Sequence, residues 1–584
     1  MKTSRRDLLR GAALSGVVAS AAALPGCLET EKSPGSAGPA KGESGVSLSS
    51  IAEAEKLQNL SYTNAEREQA LGHIESQLET LARLRAATFS NADAPALLFD
   101  PRLPGKSVGS QKNRLTLVPR DTAPVPSDAS DIAYASLADL GAWLRAGALS
   151  SAELTEIYLT RIQNHDDALH AFITVTPEIA RAQAQKADED FAKGRDRGPL
   201  HGIPFGMKDI VDTKNIPTTW GSGIFRDRVP PEDAEITRKL QRAGAVLLGK
   251  TSCGEIAYGD LWFEERTRNP WNTEEGSSGS SAGSAAATAA GLCAFSIGTE
   301  TLGSIVSPSE RCGAAGLRPT FGRVSRAGVM TLAWTFDKVG PICRYAEDTA
   351  LVLSELNGYD ADDPYGARVG FSYDASADLS AMSVGYSPAW FEAGDAIDRA
   401  ALEALKELGV QVREFNWPSL DIDSMINILD VEAAAAFQEL TLTDRDDDMI
   451  WQANEAWPNL WRSARFVSAV DFVQMSRLRR RLMQALEDAF VGFDALIGPH
   501  FGGGGQDVLL ATNLTGHPQL VVRAGFAQTA TRQADDDEPG AGPTFRTPRG
   551  ISLWADLFQE GKIIALGTAL EQHLGAAEER PPTF

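Results

Sequence analysis

Cysteine, histidine and positive charge are scarce in this 584-residue chain. Its five cysteines are too few and too scattered for a disulfide framework. Cys27 stands alone near the amino terminus, and Cys253, Cys293, Cys312 and Cys343 sit in apolar surroundings without metal-ligand spacing, as small buried residues do. Seven histidines include no pair at helical spacing beside a glutamate, so no zinc-hydrolase site is written locally, and neither metal nor cofactor is expected. Against 78 Asp and Glu stand only 55 Lys and Arg, a net charge of −23, which argues against a surface that neutralises phosphates and hence against a nucleic-acid partner. The one Ala/Gly/Val run, Gly11 to Leu24, is too short and too weakly apolar for a stable membrane span. No repeat of 20–50 residues is present, which excludes a solenoid. What remains is an ordinary globular composition, 43% apolar and 23% charged, with material for a large core.

The amino terminus reads as an export signal. Arg5-Arg6 lies in a twin-arginine context, and the segment closes on Leu24-Pro25-Gly26-Cys27, a lipobox-like end with Cys27 as the expected lipid-bearing residue. Residues 1–26 are therefore expected to be removed, and the protein to be periplasmic or anchored to a membrane by lipid at Cys27. Residues 27–48, rich in Ser, Gly, Pro, Lys and Glu, read as a disordered tether. Residues 49–131 read as a helical extension followed by an extended, Pro-rich arm. In the extension, Thr63 with Glu66 forms a capping box, and Leu71, Ile74, Leu78, Leu81 and Leu84 recur at steps of three and four.

The main domain is expected over 132–584. Ser150 and Glu153 form a second capping box, and the texture then alternates: a charged helix (177–193), an apolar strand (202–211), a helix (232–243) and a strand (245–249). Strands alternating with helices predict an α/β fold with helices on both faces of a sheet. The Asp-rich stretch 443–449 and the stretch 533–543 read as solvated loops. Trp451, Trp457 and Trp461 fall in residues 423–470, where core packing is the expected use and a substrate pocket the alternative.

Three segments carry chemistry. Gly276 to Ser284, a Ser/Gly run, leads through the Ala-rich 285–291 into Leu292 to Gly298, which reads as a buried strand. Composition alone suggests a linker, yet a linker between two buried elements makes little sense, whereas a Ser/Gly turn at a helix start offers hydroxyls and free amides to a reacting group. Gly298 to Ile305 places Ser304 after small residues at a strand end, where the backbone turns sharply and the hydroxyl is exposed. His201 to Asp209 puts Lys208 inside an apolar strand, where burial lowers a lysine pKa toward neutrality and makes it a usable base. Singly, each has a bland reading: a linker, a serine in a tight turn, a lysine paired with Asp209.

Together the three segments resemble the amidase signature family. Its Gly/Ser core resembles Gly279-Ser280-Ser281-Ala282-Gly283-Ser284-Ala285, its nucleophile loop Gly298 to Ser304, and its lysine strand Gly202 to Asp209. Arg268 to Asn272, Cys312 to Arg323, Val339-Gly340-Pro341, Glu347-Asp348 and the late loop Asn513 to Pro518 also match, over roughly residues 135–575. The resemblance implies an amidase signature fold, a central mixed sheet flanked by helices. It also implies Lys208 as base, Ser280 as bridging serine on a cis peptide bond, and Ser304, 24 residues further on, as nucleophile. Backbone amides of Thr301, Leu302, Gly303 and Ser304 are the implied oxyanion hole. The implied activity is hydrolysis of linear carboxamides, with a small-molecule amide as partner.

Two departures bear on the carry-over. Leu302 stands where the family has glycine, which would be strained if that position needs a positive φ. Val306 stands where an arginine often follows the nucleophile, which argues for an apolar or bulky substrate over acidic amides or glutamine. The alternatives are a catalytically silent, surface-tethered binding protein, for which Leu302 is the support, and an esterase using the same site. Oligomeric state stays open, a homodimer included.

Overall fold

Several helix starts in this chain are set by side chains that accept from the first free backbone amides, and the two capping boxes expected from sequence are formed. In the computed structural model, which describes residues 45–93, 95–108, 111–118, 124–500, 505–532 and 539–584, the Thr63 hydroxyl accepts from the Glu66 amide while the Glu66 carboxylate accepts from the Thr63 amide at 2.7 Å. The helix Asn64–Arg85 follows. It forms a hairpin with the helix Leu48–Leu57 through a two-pronged ion pair, Arg67 to Glu55, both contacts at 2.8 Å. Of the expected apolar stripe on the longer helix, Leu78 and Leu84 are exposed. This hairpin belongs to one compact unit, ending at Ala87; the second runs from Thr88 to Phe584 and takes in the arm. The twin-arginine pair, the lipobox-like Cys27 and the tether to residue 44 lie outside the described residues.

In the second unit Ser150 and Glu153 cap the helix Ser151–Leu169 reciprocally. Beyond it the expected alternation unfolds into a sheet of eleven strands: β1 (Phe172–Val175), β2 (Pro204–Lys208), β3 (Val246–Thr251), β4 (Phe295–Glu300), β5 (Ala315–Arg318), β6 (Lys338–Cys343), β7 (Ser383–Tyr386), β8 (Gln411–Glu414), β9 (Ala495–Pro499), β10 (Gln519–Arg532) and β11 (Pro539–Trp554). Their spatial order is β8-β7-β9-β11-β10-β5-β6-β4-β2-β3-β1. The sheet is mixed: β2 is parallel to both β3 and β4, whereas β4 runs antiparallel to β6 and β10 to β11. Every residue of β2, β3, β4 and β6 is buried, the pattern of strands covered on both faces.

The Ala-rich run after the serine loop is the helix Ala282–Ala289, buried along its whole length. Small residues are required there: a Cβ on Gly283 would fall 2.1 Å from the Ala171 carbonyl oxygen. The four later cysteines are buried and unpaired, in line with their apolar surroundings.

One loop expectation holds in part and one is corrected. In 443–449, Thr443, Asp444, Asp447 and Asp448 are exposed as expected, but the 3₁₀ turn Arg445–Asp448 buries Asp446 against Arg462 at 2.8 Å; a neighbouring cation draws inward an aspartate that composition assigns to solvent. Of the stretch 533–543, residues from Pro539 onward form the start of β11, because a long antiparallel partner supplies the hydrogen bonds that the Gly- and Pro-rich sequence does not advertise; residues 533–538 lie outside the described residues.

Candidate functional site

Parallel neighbours end at the same edge of a sheet, and this places the last residues of β2 and β4 side by side. Lys208 closes β2 and is fully buried. Its Nζ lies 2.9 Å from Ser280 Oγ, 3.0 Å from Ser281 Oγ and 2.9 Å from Thr299 Oγ1 on β4. Three hydroxyls suit both protonation states, since each can accept from an ammonium, and one can turn to donate to a neutral amine. Burial pushes the Lys208 pKa down to about 8, against the opposing pull of Cys253, Asp337 and Glu300. Asp209 turns away: its carboxylate accepts from the Thr219 amide at 2.8 Å and lies 3.9 Å from Lys250.

The serine loop reaches Lys208 through a Gly279–Ser280 peptide bond that is cis. Position 279 admits no side chain, because a Cβ would lie 1.8 Å from the Gly259 carbonyl oxygen. Ser280 presents its hydroxyl to Lys208. Ser281 is tied into the framework instead: its hydroxyl donates to the Thr299 carbonyl and accepts from the Thr299 amide, each at 3.1 Å, while its own amide donates to the Ser304 carbonyl at 3.1 Å. That last bond fastens the serine loop to the turn that carries Ser304.

The turn from Thr301 to Ile305 joins β4 to the helix Val306–Cys312. Its one left-handed residue is Gly303, with φ +83°. Leu302 is therefore unstrained: the position that requires glycine has it, and the leucine side chain packs against the apolar cluster that contains Trp220, Phe336 and Trp461. Ser304 is 8% exposed, reachable but shielded.

Behind the turn stands Glu300, to which the resemblance gives no role. Its carboxylate accepts from the amides of Ile305 and Val306 at 2.9 and 3.1 Å, capping the helix start, and it pairs with the buried Arg318 at 2.8 Å. Asn513 of the late loop donates to it at 3.0 Å, and Arg318 donates to the His517 carbonyl at 2.9 Å, which fastens that loop to the site. Burial opposes the charge, but Arg318, Lys338 and the helix amides outweigh it and hold the carboxyl at about 2. A glutamate and an arginine at the ends of otherwise buried strands were the available sequence signal.

A cavity of about 580 Å³ opens beside this turn and reaches Thr299, which bonds Lys208, and Thr301. Trp220, Ala257, Met330 and Trp334 contribute to its walls. Ile256 and Ala257 are both left-handed, and Trp457 clamps the Ile256 carbonyl at 2.9 Å. None of the three tryptophans considered from sequence lines this cavity. Trp457 and Trp461 are stacked in the core at 6.0 Å, and Trp451 lies against Tyr258. Ser90, Asn91 and Ala92 of the arm close one side, held by the Asn91 side chain, which donates to the Thr331 carbonyl at 2.9 Å and accepts from the Thr331 amide at 2.7 Å.

Residues 153–504 match the protein family described as Amidase. One component of the glutamyl-tRNA(Gln) amidotransferase from Methylococcus capsulatus is 34% identical over 449 residues, covering 67% of this chain and 90% of the relative. The native peptide amidase from Stenotrophomonas maltophilia superposes with a TM-score of 0.65 at 28% identity, over 77% of this chain and 98% of its own. An amidase family protein from Bacillus anthracis gives the same TM-score at 26% identity, over 78% and 93%.

Proposed function

Because this chain belongs to the amidase signature family of carbon–nitrogen hydrolases, we propose that it cleaves linear carboxamides through an acyl-enzyme on Ser304, with Ser280 and Lys208 as the proton relay. The observation that carries this reading is the 2.9 Å contact between Lys208 Nζ and Ser280 Oγ in a site whose burial holds the amine near pH 8. At neutral pH a useful fraction of the lysine is an unprotonated base.

The steps follow from that arrangement. Neutral Lys208 takes a proton from Ser280 as Ser280 takes one from Ser304, and the Ser304 oxygen adds to the amide carbonyl carbon. Amides of the 301–304 turn receive the oxyanion, a contribution typically of about 3–4 kcal/mol for one donor. When the tetrahedral adduct collapses, the C–N bond breaks and the leaving nitrogen takes the proton back through Ser280. Water, activated by the same relay, then splits the acyl ester and frees the acid.

An apolar or bulky acyl group is the favoured substrate. Val306 is fully buried and brings no cation to the site, and the likeness to a peptide amidase supports carboxamides borne on large acyl groups. Export by the twin-arginine route, with Cys27 lipidated, belongs to the same proposal and separates it from transfer-RNA charging; sequencing the mature amino terminus tests it.

The activity test is intact mass and peptide mapping after exposure to a fluorophosphonate, with Lys208→Ala as control. One adduct, on Ser304 and greatly slowed in the control, is expected. A folded protein that takes no label overturns the reading in favour of a silent binding protein.

A further inference from the structure

Oxyanion donors help a reaction only if they stand where the charge develops, so whatever fixes the turn that carries them acts on the chemistry without touching the substrate. The amides of Thr301, Leu302, Gly303 and Ser304 donate to no backbone carbonyl among the described residues, so the turn is not held in shape through them. Its far end is fastened in other ways. The Ser304 carbonyl accepts from the Ser281 amide at 3.1 Å, the Gly303 carbonyl accepts from the Ser307 amide at 2.8 Å, and Glu300 takes the Ile305 and Val306 amides. At the near end Leu302 supplies apolar packing, and the polar tether among the described residues is the Thr301 hydroxyl, which donates to Asp337 Oδ1 at 2.7 Å.

Asp337 is itself firmly placed. Its other carboxylate oxygen accepts from the Leu332 and Ala333 amides at 2.8 and 3.1 Å, and its own amide donates to the Ala333 carbonyl at 3.0 Å. It directly precedes β6, which pairs with β4 up to Lys338 and Glu300. The carboxylate accepts in each of its contacts, so the ionised form fits them; burial raises its pKa, and Thr301, Arg326 and the two amides pull against that rise. Asp337 borders the cavity, but both of its oxygens are engaged by the protein.

The loop that Asp337 grips is a wall of the cavity and is fixed from outside. The Met330 amide donates to the Ile210 carbonyl at 2.9 Å, Asn91 holds both backbone groups of Thr331, and Arg326 donates to the Trp334 carbonyl at 2.8 Å. One carboxylate thus spans from an anchored wall to the loosely tethered end of the nucleophile turn.

We propose that Asp337 is a positioning residue: through the Thr301 hydroxyl it ties the nucleophile turn to the 331–333 wall and so sets where the oxyanion amides stand relative to Ser304. This rests on the amidase reading of Ser304 and deepens it by naming a residue outside the nucleophile segment on which that turn depends.

A double-mutant cycle on kcat and KM tests it. Thr301→Val removes the hydroxyl and leaves Asp337 bound to the wall; it is expected to lower kcat about 30-fold with KM within about twofold, because a displaced turn is felt in the transition state. Asp337→Ala is expected to lower kcat at least as far, and the double variant no further than Asp337→Ala, since one bond can be lost only once. Thr301→Ser, which returns a hydroxyl, should recover most of the loss. A trifluoromethyl ketone analogue of the same substrate, which adds to Ser304 as a tetrahedral adduct, should lose affinity across the variants in proportion to kcat/KM. Circular dichroism and urea midpoints establish that each variant is folded; if Asp337→Ala is not, the two Thr301 variants decide alone. Losses that multiply in the double variant, that fall on KM instead of kcat, or that Thr301→Ser does not repair overturn the proposal. A wild type that neither cleaves amides nor takes a fluorophosphonate defeats the amidase reading and this assignment with it, whereas a wild type that does both, matched in kcat by Thr301→Val, defeats the assignment alone.

Discussion

Replacing Lys208 by methionine separates what the lysine does for chemistry from what its burial does to the fold. With a pKa of about 8 against an ordinary 10.5, roughly one molecule in ten carries the neutral base at pH 7, compared with about one in 3,000 for an unperturbed lysine. Burial thus raises the population of usable base about 300-fold. The same shift bears on stability. The unfolded chain keeps its proton up to pH 10.5 and the folded chain releases it near 8, so the unfolded state binds more protons between those values and stability rises with pH across that window. Below pH 8 the full penalty stands, about 3 kcal/mol for a shift of this size. Methionine removes it, at the expense of about 2 kcal/mol for the Ser280 and Thr299 hydroxyls left without their amine partner; Ser281 keeps its bonds to the Thr299 backbone. Lys208→Met should therefore be inactive yet more resistant to urea at pH 7, by about 1 kcal/mol, with the gain shrinking toward pH 10.5. Wild-type kcat/KM should climb along a single limb centred near pH 8. A flat profile, a limb centred near 10.5, or a variant less stable than wild type at pH 7 would refute the reasoning.

Gly303→Ala asks a left-handed turn to hold a Cβ 2.8 Å from Ser307 Oγ; it should cost about 1–2 kcal/mol in urea denaturation and lower kcat more than tenfold by displacing the oxyanion amides. Leu302→Gly should leave kcat unchanged or lower, and reduce stability through lost packing, whereas a rise in kcat would show that the leucine obstructs the turn. Glu300→Gln leaves the buried Arg318 without its counter-charge and should destabilise by about 3–5 kcal/mol at pH 7. Because the folded carboxyl titrates at about 2, below its unfolded value, that difference is full above the unfolded pKa near 4.5 and fades as the pH falls toward 2, which urea midpoints at pH 7 and pH 3 would resolve.

The candidate site was legible because its residues sit in contiguous, compositionally odd segments: a lysine in an apolar strand, a serine-rich turn before an alanine-rich helix, a serine after small residues. The meeting of Lys208 with Thr299 follows from β2 and β4 being parallel neighbours, which strand alternation predicts in kind though not in order. The cavity was not legible. Trp220 belongs to no periodic stripe, and its orientation is set by a left-handed φ and by Arg228, neither of which leaves a local trace. The tryptophans that stand out in the sequence, Trp457 and Trp461, form a regular i, i+4 pair because they are core. Glu300 lies within the nucleophile segment, but its work depends on Arg318 and Asn513, 18 and 213 residues away, and only the folded sheet reveals such partners. Asp446 makes the same point for surface loops: an aspartate run is solvated until an arginine from the next helix arrives.

The clasp between Asn91 and Thr331 changes how this protein should be taken apart. In facing both the amide and the carbonyl of Thr331, Asn91 imitates a neighbouring strand with one side chain. The family match begins at residue 153, so a fragment trimmed to that border loses the clasp, bares one flank of the chamber and leaves a backbone donor and acceptor of Thr331 to solvent. Such a fragment would also lose the core helix Leu137–Ala146 and the Ser150 cap of the helix that follows, so the border of the family match is not a border of the fold. Amide selectivity is therefore to be measured on a chain that keeps the amino-terminal arm, whose residues 90–92 wall the cavity.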